Sequence, residues 1–302
     1  MREKNVYTVQ TKNQMCNQLF WAAGNMAAAL EYGFNVTMLT FEHADKFVLA
    51  DEEKDEERIK LCWNPELADK HRKSIARRKK WLKKDNRIFD IGFDESGKRL
   101  DEALKNGSFS KHKYVEGWPF YNPATLGKYR ERIARFIAPI PEIEDSAEHF
   151  IRGIQNKKRV AIHIRRKDYA TYLNGMYYYD NSVYKAAMER MLTLLGEDTA
   201  FIVFTDEVEK VHELDDERWT TIISGKSAVE DLTIMSKCDY IIAPPSSFSG
   251  WASYAGNVPL YRIVDRNIPT FELKDFGVCW ISEQYINNLH KRLDEQNNDG
   301  TR

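Results

Sequence analysis

Val160-Ala161-Ile162-His163-Ile164-Arg165-Arg166-Lys167-Asp168-Tyr169 is the stretch on which the fold turns. Val160-Ala161-Ile162 is an unbroken apolar run and reads as a buried strand; the charged residues after it mark the strand's end. On a strand, His163 and Arg165 share one side and Ile162 and Ile164 the other. Two guanidiniums at a strand terminus are costly to desolvate unless something anionic meets them. A guanidinium is a planar fork of donors that fits phosphate oxygens two bonds at a time. The stretch therefore predicts a strand that delivers a phosphate-binding group to one edge of a sheet.

Moving outward, further apolar runs read as strands at 200–204, 220–223, 240–243 and 259–263, with helical patterns at 182–195, 208–214, 228–236 and 248–255. Strands alternating with helices over short connections imply a parallel, doubly wound α/β sheet. Three of these strands end in polar, turn-forming residues: Arg165-Arg166-Lys167-Asp168, Thr205-Asp206-Glu207 and Pro244-Pro245-Ser246-Ser247-Phe248-Ser249-Gly250. Ligands of open parallel sheets sit beyond the carboxyl ends of the strands, so three strands converge on one edge. Ser246 to Ser249 also open a helix, whose first amides attract phosphate. Ser246 or Ser247 can equally be a plain N-cap. His163 can be a core histidine, Asp168 an arginine's partner, and Asp206 a turn residue.

The N-terminal part opens as a strand at 7–9, a polar loop at 10–17, an alanine-rich helix at 18–32 closed by Gly33, and a strand at 36–39. Residues 42–115 carry less pattern. Asp51–Glu57 is acidic, and Lys70–Lys84 holds nine Lys or Arg in fifteen residues. Each run reads as a solvated helix face; the basic one reads alternatively as a dock for anionic lipid head groups or a charged partner. A helix at 128–137, a linker at Pro139-Ile140-Pro141 and a helix at 142–154 lead into the second half. At 302 residues, two domains are expected, at 1–150 and 151–302.

The net charge of −1 gives no global field for nucleic acid. The four cysteines form no CxxC pair, which argues for reduced, cytosolic thiols and against a local zinc cage. The N-terminus lacks the pattern of a signal peptide, and no apolar run reaches the ~18 residues of a membrane span. Ser224-Gly225-Lys226-Ser227 imitates the end of a P-loop, but the position five before Gly225 is Thr220; Ser227 to Glu230 is instead a capping box. There is no GxGxxG, no HExxH and no Asp-x-Asp pair, so a sugar transferase of this sequence would neutralise phosphate with arginine and not with a metal.

HIRRKDY at 163–169, FTDE at 204–207 and PPSSFSGWAS at 244–253 together resemble the α1,2-fucosyltransferases. The Asn17-Gln18-Leu19-Phe20 opening and the helix Asp231–Cys238 are similar to further family elements. Where the family opening is glycine-rich, this chain has Asn13, Gln14 and Cys16; where the family has a double tryptophan, it has Gly250-Trp251. The resemblance implies two Rossmann-like domains facing across a cleft (GT-B type): an N-terminal acceptor-side domain and a C-terminal donor domain.

It further implies GDP-fucose as donor, a galactoside hydroxyl (galactose 2-OH) as acceptor, inversion, and no metal or other cofactor. Carried over, Arg165 and Arg166 would hold the diphosphate, with His163 and Asp206 near the nucleotide. Ser246, Ser247, Phe248 and Ser249 would surround the diphosphate and fucose, and Asn17 and Gln18 would face the cleft. Arg165 and Asp168 are the catalytic candidates. Transfer of another nucleotide sugar, or nucleotide or glycan binding without catalysis, are the alternatives. The expected setting is cytoplasmic, with peripheral membrane contact through Lys70–Lys84.

Overall fold

The computed structural model describes residues 5–9, 14–39, 41–49, 59–61, 65–85, 88–93, 99, 102–103, 106, 108–111, 114–118, 123–264 and 270–279. The chain divides into two compact units, Met1–Ile140 and Pro141–Arg302. The acidic run Asp51–Glu57 lies outside the described residues.

In the first unit, β1 (Asn5–Val9), β2 (Asn35–Met38), β4 (Ile59–Leu61), β5 (Ile88–Phe93) and β6 (Tyr114–Trp118) form a parallel sheet of order β4-β2-β1-β6-β5. A separate antiparallel pair joins β3 (Phe47–Leu49) to β7 (Ile137–Pro139). Helix α1 (Met15–Tyr32) is buried almost all round, which its alanines permit and which a helix apolar on every side requires. Gly33 closes it in the left-handed conformation (φ 69°), as expected. Its start lies earlier than expected, inside the supposed loop. Gln14, the N-cap, makes no side-chain cap, so no local signal marks the start; burial of Cys16 and Leu19 extends the helix instead. After a separate short helix, α3 (Pro123–Lys128), the helix expected at 128–137 forms as α4 (Arg130–Phe136). Ile137 leaves it because it pairs with Leu49, a contact distant in sequence.

The second unit holds β8 (Lys158–Ile164), β9 (Thr199–Thr205), β10 (Thr220–Ile223), β11 (Tyr240–Ala243) and β12 (Leu260–Arg262), all parallel, in the order β10-β9-β8-β11-β12. The helices are α5 (Pro141–Arg152), α6 (Asn181–Leu195), α7 (Ala228–Met235) and α8 (Ser247–Gly256). Val160, Ile162 and Ile164 join Phe201 and Val203 of β9 and Val183, Tyr184, Ala187, Met188 and Met191 of α6 in one core. Ala161 and His163 face the other way, and His163 meets Phe248 of α8. The capping box of α7 is present: Ser227 accepts from the Glu230 amide and Glu230 from the Ser227 amide. α5 packs on α7 through Ser146, whose hydroxyl donates to Glu230 at 2.7 Å. The helix expected at 208–214 is instead two 3₁₀ turns, Val208–Lys210 and His212–Leu214; only Val211 and Leu214 are buried there, too few side chains for a helical stripe.

Candidate active site

β9, β8 and β11 are neighbours, so the three polar strand ends do meet at one edge of the second unit's sheet. The two adjacent arginines divide the work there. Arg165 keeps 30% of its side chain exposed; its Nε lies 2.8 Å from Asp168 Oδ1 and its Nη1 3.5 Å from Asp206 Oδ2. Its guanidinium also sits 5.9 Å from the centre of the Tyr169 ring.

Arg166 points inward and is 4% exposed. Its Nη1 donates to the Tyr179 carbonyl at 2.7 Å, its Nη2 to Asn181 Oδ1, and its backbone N–H to Asp206 Oδ1 at 3.0 Å. The expectation of two outward arginines is corrected. Arg166 lies two residues past the end of β8 and uses its fork to tie that end to the Tyr179 carbonyl and to the first residue of α6. Asp206 thus touches both arginines, one through its backbone and one through its charge.

His163 is 5% exposed, and burial, with the Arg165 charge beside it, pushes its pKa down to about 3. Its ring centre lies 5.2 Å from that of Phe248. Its Nδ1 is buried without a hydrogen-bond partner among the described residues. Such an orphan costs on the order of 1–3 kcal/mol, a cost that a ligand group reaching it would remove.

At the β11–α8 turn, Ser246 is the N-cap, its hydroxyl accepting from the Phe248 amide at 3.2 Å. Ser249 is fully buried and donates to the Ser246 carbonyl at 3.3 Å. Its expected place around a ligand is therefore corrected: its hydroxyl braces the turn. Ser247 and Phe248 are half-buried at the first turn of α8, where amides lack intrahelical acceptors. Tyr169, the last residue of the HIRRKDY stretch, donates its hydroxyl to the Pro245 carbonyl at 2.5 Å and so holds this turn against the end of β8. Burial raises its pKa.

Two features were missed as site elements. Asp231, in the first turn of α7, is bonded by the Ser224 hydroxyl, and the Ser224 amide donates to Val203 of β9 at 3.0 Å. Asp231 therefore belongs to the same edge, and burial raises its pKa to about 6. A second acidic residue directly behind the capping-box glutamate was the available signal. The other feature is the turn after Tyr169. Leu173 (φ 46°), Asn174 (φ 55°) and Gly175 (φ 73°) are left-handed in succession. For Leu173 this costs about 1–2 kcal/mol. A Cβ on Gly175 would stand 3.2 Å from the Ala170 carbonyl, so this position takes glycine for room as well as for its backbone.

In the first unit, Asn17 is half-buried in the first turn of α1 and Gln18 is 1% exposed. The Gln18 amide is used within its own unit. It donates to Glu42 Oε2 at 3.2 Å and accepts from the Glu42 amide at 3.0 Å, while Glu42 also pairs with Arg72 at 2.5 Å.

The model of the family described as Glycosyl transferase family 11 matches residues 3–275. No curated protein matches the chain. Among solved structures, a mutant of Arabidopsis thaliana FUT1 in complex with GDP is similar with a TM-score of 0.61 at 11% identity, over 89% of this chain and 73% of that one. NodZ α-1,6-fucosyltransferase soaked with GDP-fucose follows at 0.54 and 13%, over 86% and 95%. POFUT1 in complex with GDP-fucose gives 0.52 and 12%, over 83% and 94%. At these identities the likeness speaks for the fold, which is that of the GT-B fucosyltransferases.

Proposed function

From its membership of glycosyl transferase family 11, the α1,2-fucosyltransferase family, to which this chain belongs, we propose that it moves L-fucose from GDP-fucose to a galactoside hydroxyl, galactose 2-OH, with inversion. The observation that carries the reading is the partly exposed guanidinium of Arg165 at the carboxyl end of β8, next to the strand whose turn opens α8.

On this reading the second unit is the donor domain. Arg165 binds the diphosphate with the amides of the first turn of α8 near Ser247, while Phe248 and Ser246 shape that turn. His163, neutral and with an unmet Nδ1, meets the nucleotide from the same side of β8. Guanine carries adjacent N–H donors on one edge, and the Asp231 carboxylate, half removed from water at that sheet edge, is suited to accept both.

In the transfer, the bond from fucose C1 to the phosphate oxygen breaks and its electron pair stays on the β-phosphate. The acceptor oxygen bonds to C1 from the opposite face, and the hydroxyl proton passes to solvent. Charge grows on the diphosphate, and Arg165 with the amides at the helix start stabilises it there. Asp168 is already paired with Arg165, and we assign it to aiming that guanidinium and not to proton removal.

The test is GDP-fucose hydrolysis and transfer to a galactoside panel by the wild type, R165A and D231N, with product linkage determined. R165A should lose about 10²–10³ in kcat, the usual cost of one preorganised donor. D231N should weaken GDP and not UDP. Near-native turnover by R165A, or equal use of other nucleotide sugars, would overturn the assignment.

A membrane contact is proposed for α2 (Pro65–Lys84). Lys70, Lys73, Arg77, Lys80 and Lys84 are exposed, and Trp81 among them is 57% exposed. Arg72 is turned inward to Glu42. Cations beside an exposed indole suit an anionic bilayer surface, where tryptophan settles at head-group level. No helix among the described residues is long and apolar enough to cross a membrane.

A further inference from the structure

We propose that the turn after the HIRRKDY stretch is the acceptor's sugar platform, with Tyr172 as its stacking surface. The inference rests on the donor reading above, since it places the acceptor one step beyond the diphosphate-binding arginine.

Three observations meet at this turn. The first is exposure: Tyr172 is 52%, Leu173 48% and Met176 44% exposed, three of the six large hydrophobic side chains so exposed among the described residues. Exposed apolar side chains grouped in this way are a mark of binding surfaces. The second is conformation. The left-handed succession Leu173-Asn174-Gly175 is unfavourable for leucine, whose side chain it leaves exposed. The turn is also braced: the Ala170 amide donates to the Arg166 carbonyl at 3.0 Å and the Met176 amide to the Leu173 carbonyl at 3.1 Å. A fixed, unfavourable turn that presents apolar groups to water is suited to binding and not to packing. The third is space. A cavity of about 450 Å³ lies against it, lined by Asn174, Tyr178, Asp180 and Ser182 among others. That falls within the roughly 300–1,000 Å³ of small-molecule sites.

The chemistry of the ligand follows from this mixture. Tyr172 stacks on Tyr169 with ring centres 5.6 Å apart and planes at 28°, and Tyr169 in turn lies 5.9 Å from the Arg165 guanidinium. An aromatic face thus stands two contacts from the diphosphate site. A pyranose has an apolar C–H face that fits the electron-rich face of such a ring. Its hydroxyls need donors and acceptors, which Asn174, Asp180 and Ser182 supply in the cavity. A purely apolar partner would leave those groups unmet, and an anionic one would gain nothing from the electron-rich faces of the rings.

The experiment measures binding without requiring turnover. Saturation-transfer NMR with lactose as the probe, with GDP present, is run on the wild type, Y172A and Y172F, with GDP affinity followed by calorimetry. Tyr172 is half exposed, so neither variant threatens the fold. Lactose should bind the wild type, weaken about tenfold in Y172A through loss of the ring's stacking, and stay within about twofold in Y172F, while GDP affinity is the same in all three. Equal lactose binding by Y172A, absence of lactose binding by the wild type, or a parallel fall in GDP affinity overturns the platform. Failure of every protein to bind GDP sinks the donor reading instead, and the lactose result then stands by itself.

Discussion

His163 makes the buried edge of the site measurable as a proton count. An imidazole with a pKa of about 3 in the folded protein and about 6.5 in the unfolded chain is neutral in the fold and free to protonate on unfolding. Its contribution to stability is complete above pH 6.5 and is lost as pH falls toward 3. Between pH 7 and pH 5 the loss is about 2 kcal/mol from this one residue. Urea unfolding of the wild type and H163Q at both pH values checks this. Other groups titrate over the same range, but they do so in both proteins and cancel in the difference. The wild type should lose about 2 kcal/mol more than H163Q on acidification. Equal losses, or an imidazole NMR signal titrating near pH 6.5 in the folded protein, would refute the picture of a dry histidine beside Arg165. Because His163 faces Phe248 at the start of α8, that result would also remove it from the nucleotide's surroundings.

The two arginines should separate stability from activity. R166A leaves the Tyr179 carbonyl and Asn181 without their donor inside the unit and should cost about 2–4 kcal/mol in urea unfolding. R165A, removing a 30%-exposed side chain from partly exposed ion pairs, should cost no more than about 1 kcal/mol while lowering kcat by about 10²–10³. Sedimentation with vesicles should show α2 binding to phosphatidylserine-containing but not to neutral bilayers. Replacing Lys73, Arg77 and Lys80 with serine should weaken that binding on the order of a hundredfold, and raising salt should weaken it in the wild type. Equal sedimentation by the triple variant, or capture of nucleic acid in preference to the vesicles, would refute the membrane contact.

What residue order alone determined was the layout of the second unit. Its strands are continuous apolar runs because both faces of a parallel sheet are covered, and such runs announce themselves; 220–223 and 240–243 form with the expected bounds. The polar strand ends were equally legible, since nothing buried in a sheet needs Arg165, Asp206 or Ser247 where they stand. The capping box at Ser227 and the glycine ending α1 are local devices, readable because a few neighbouring residues make them.

Tertiary structure alone decided the rest. Which of two adjacent arginines turns inward depends on where the loop before α6 passes, since Tyr179 and Asn181 lie 13 and 15 residues away from Arg166. Ser249 looks like its neighbours in the sequence, yet the turn of α8 buries it. Asp231 joins the edge only because β10 lies beside β9 and brings Ser224 to Val203. The α1 start follows from burial, and the end of α4 from the pairing of Ile137 with a distant strand. Local patterns record what a residue prefers, whereas the direction a side chain finally takes is set by partners that only folding brings near.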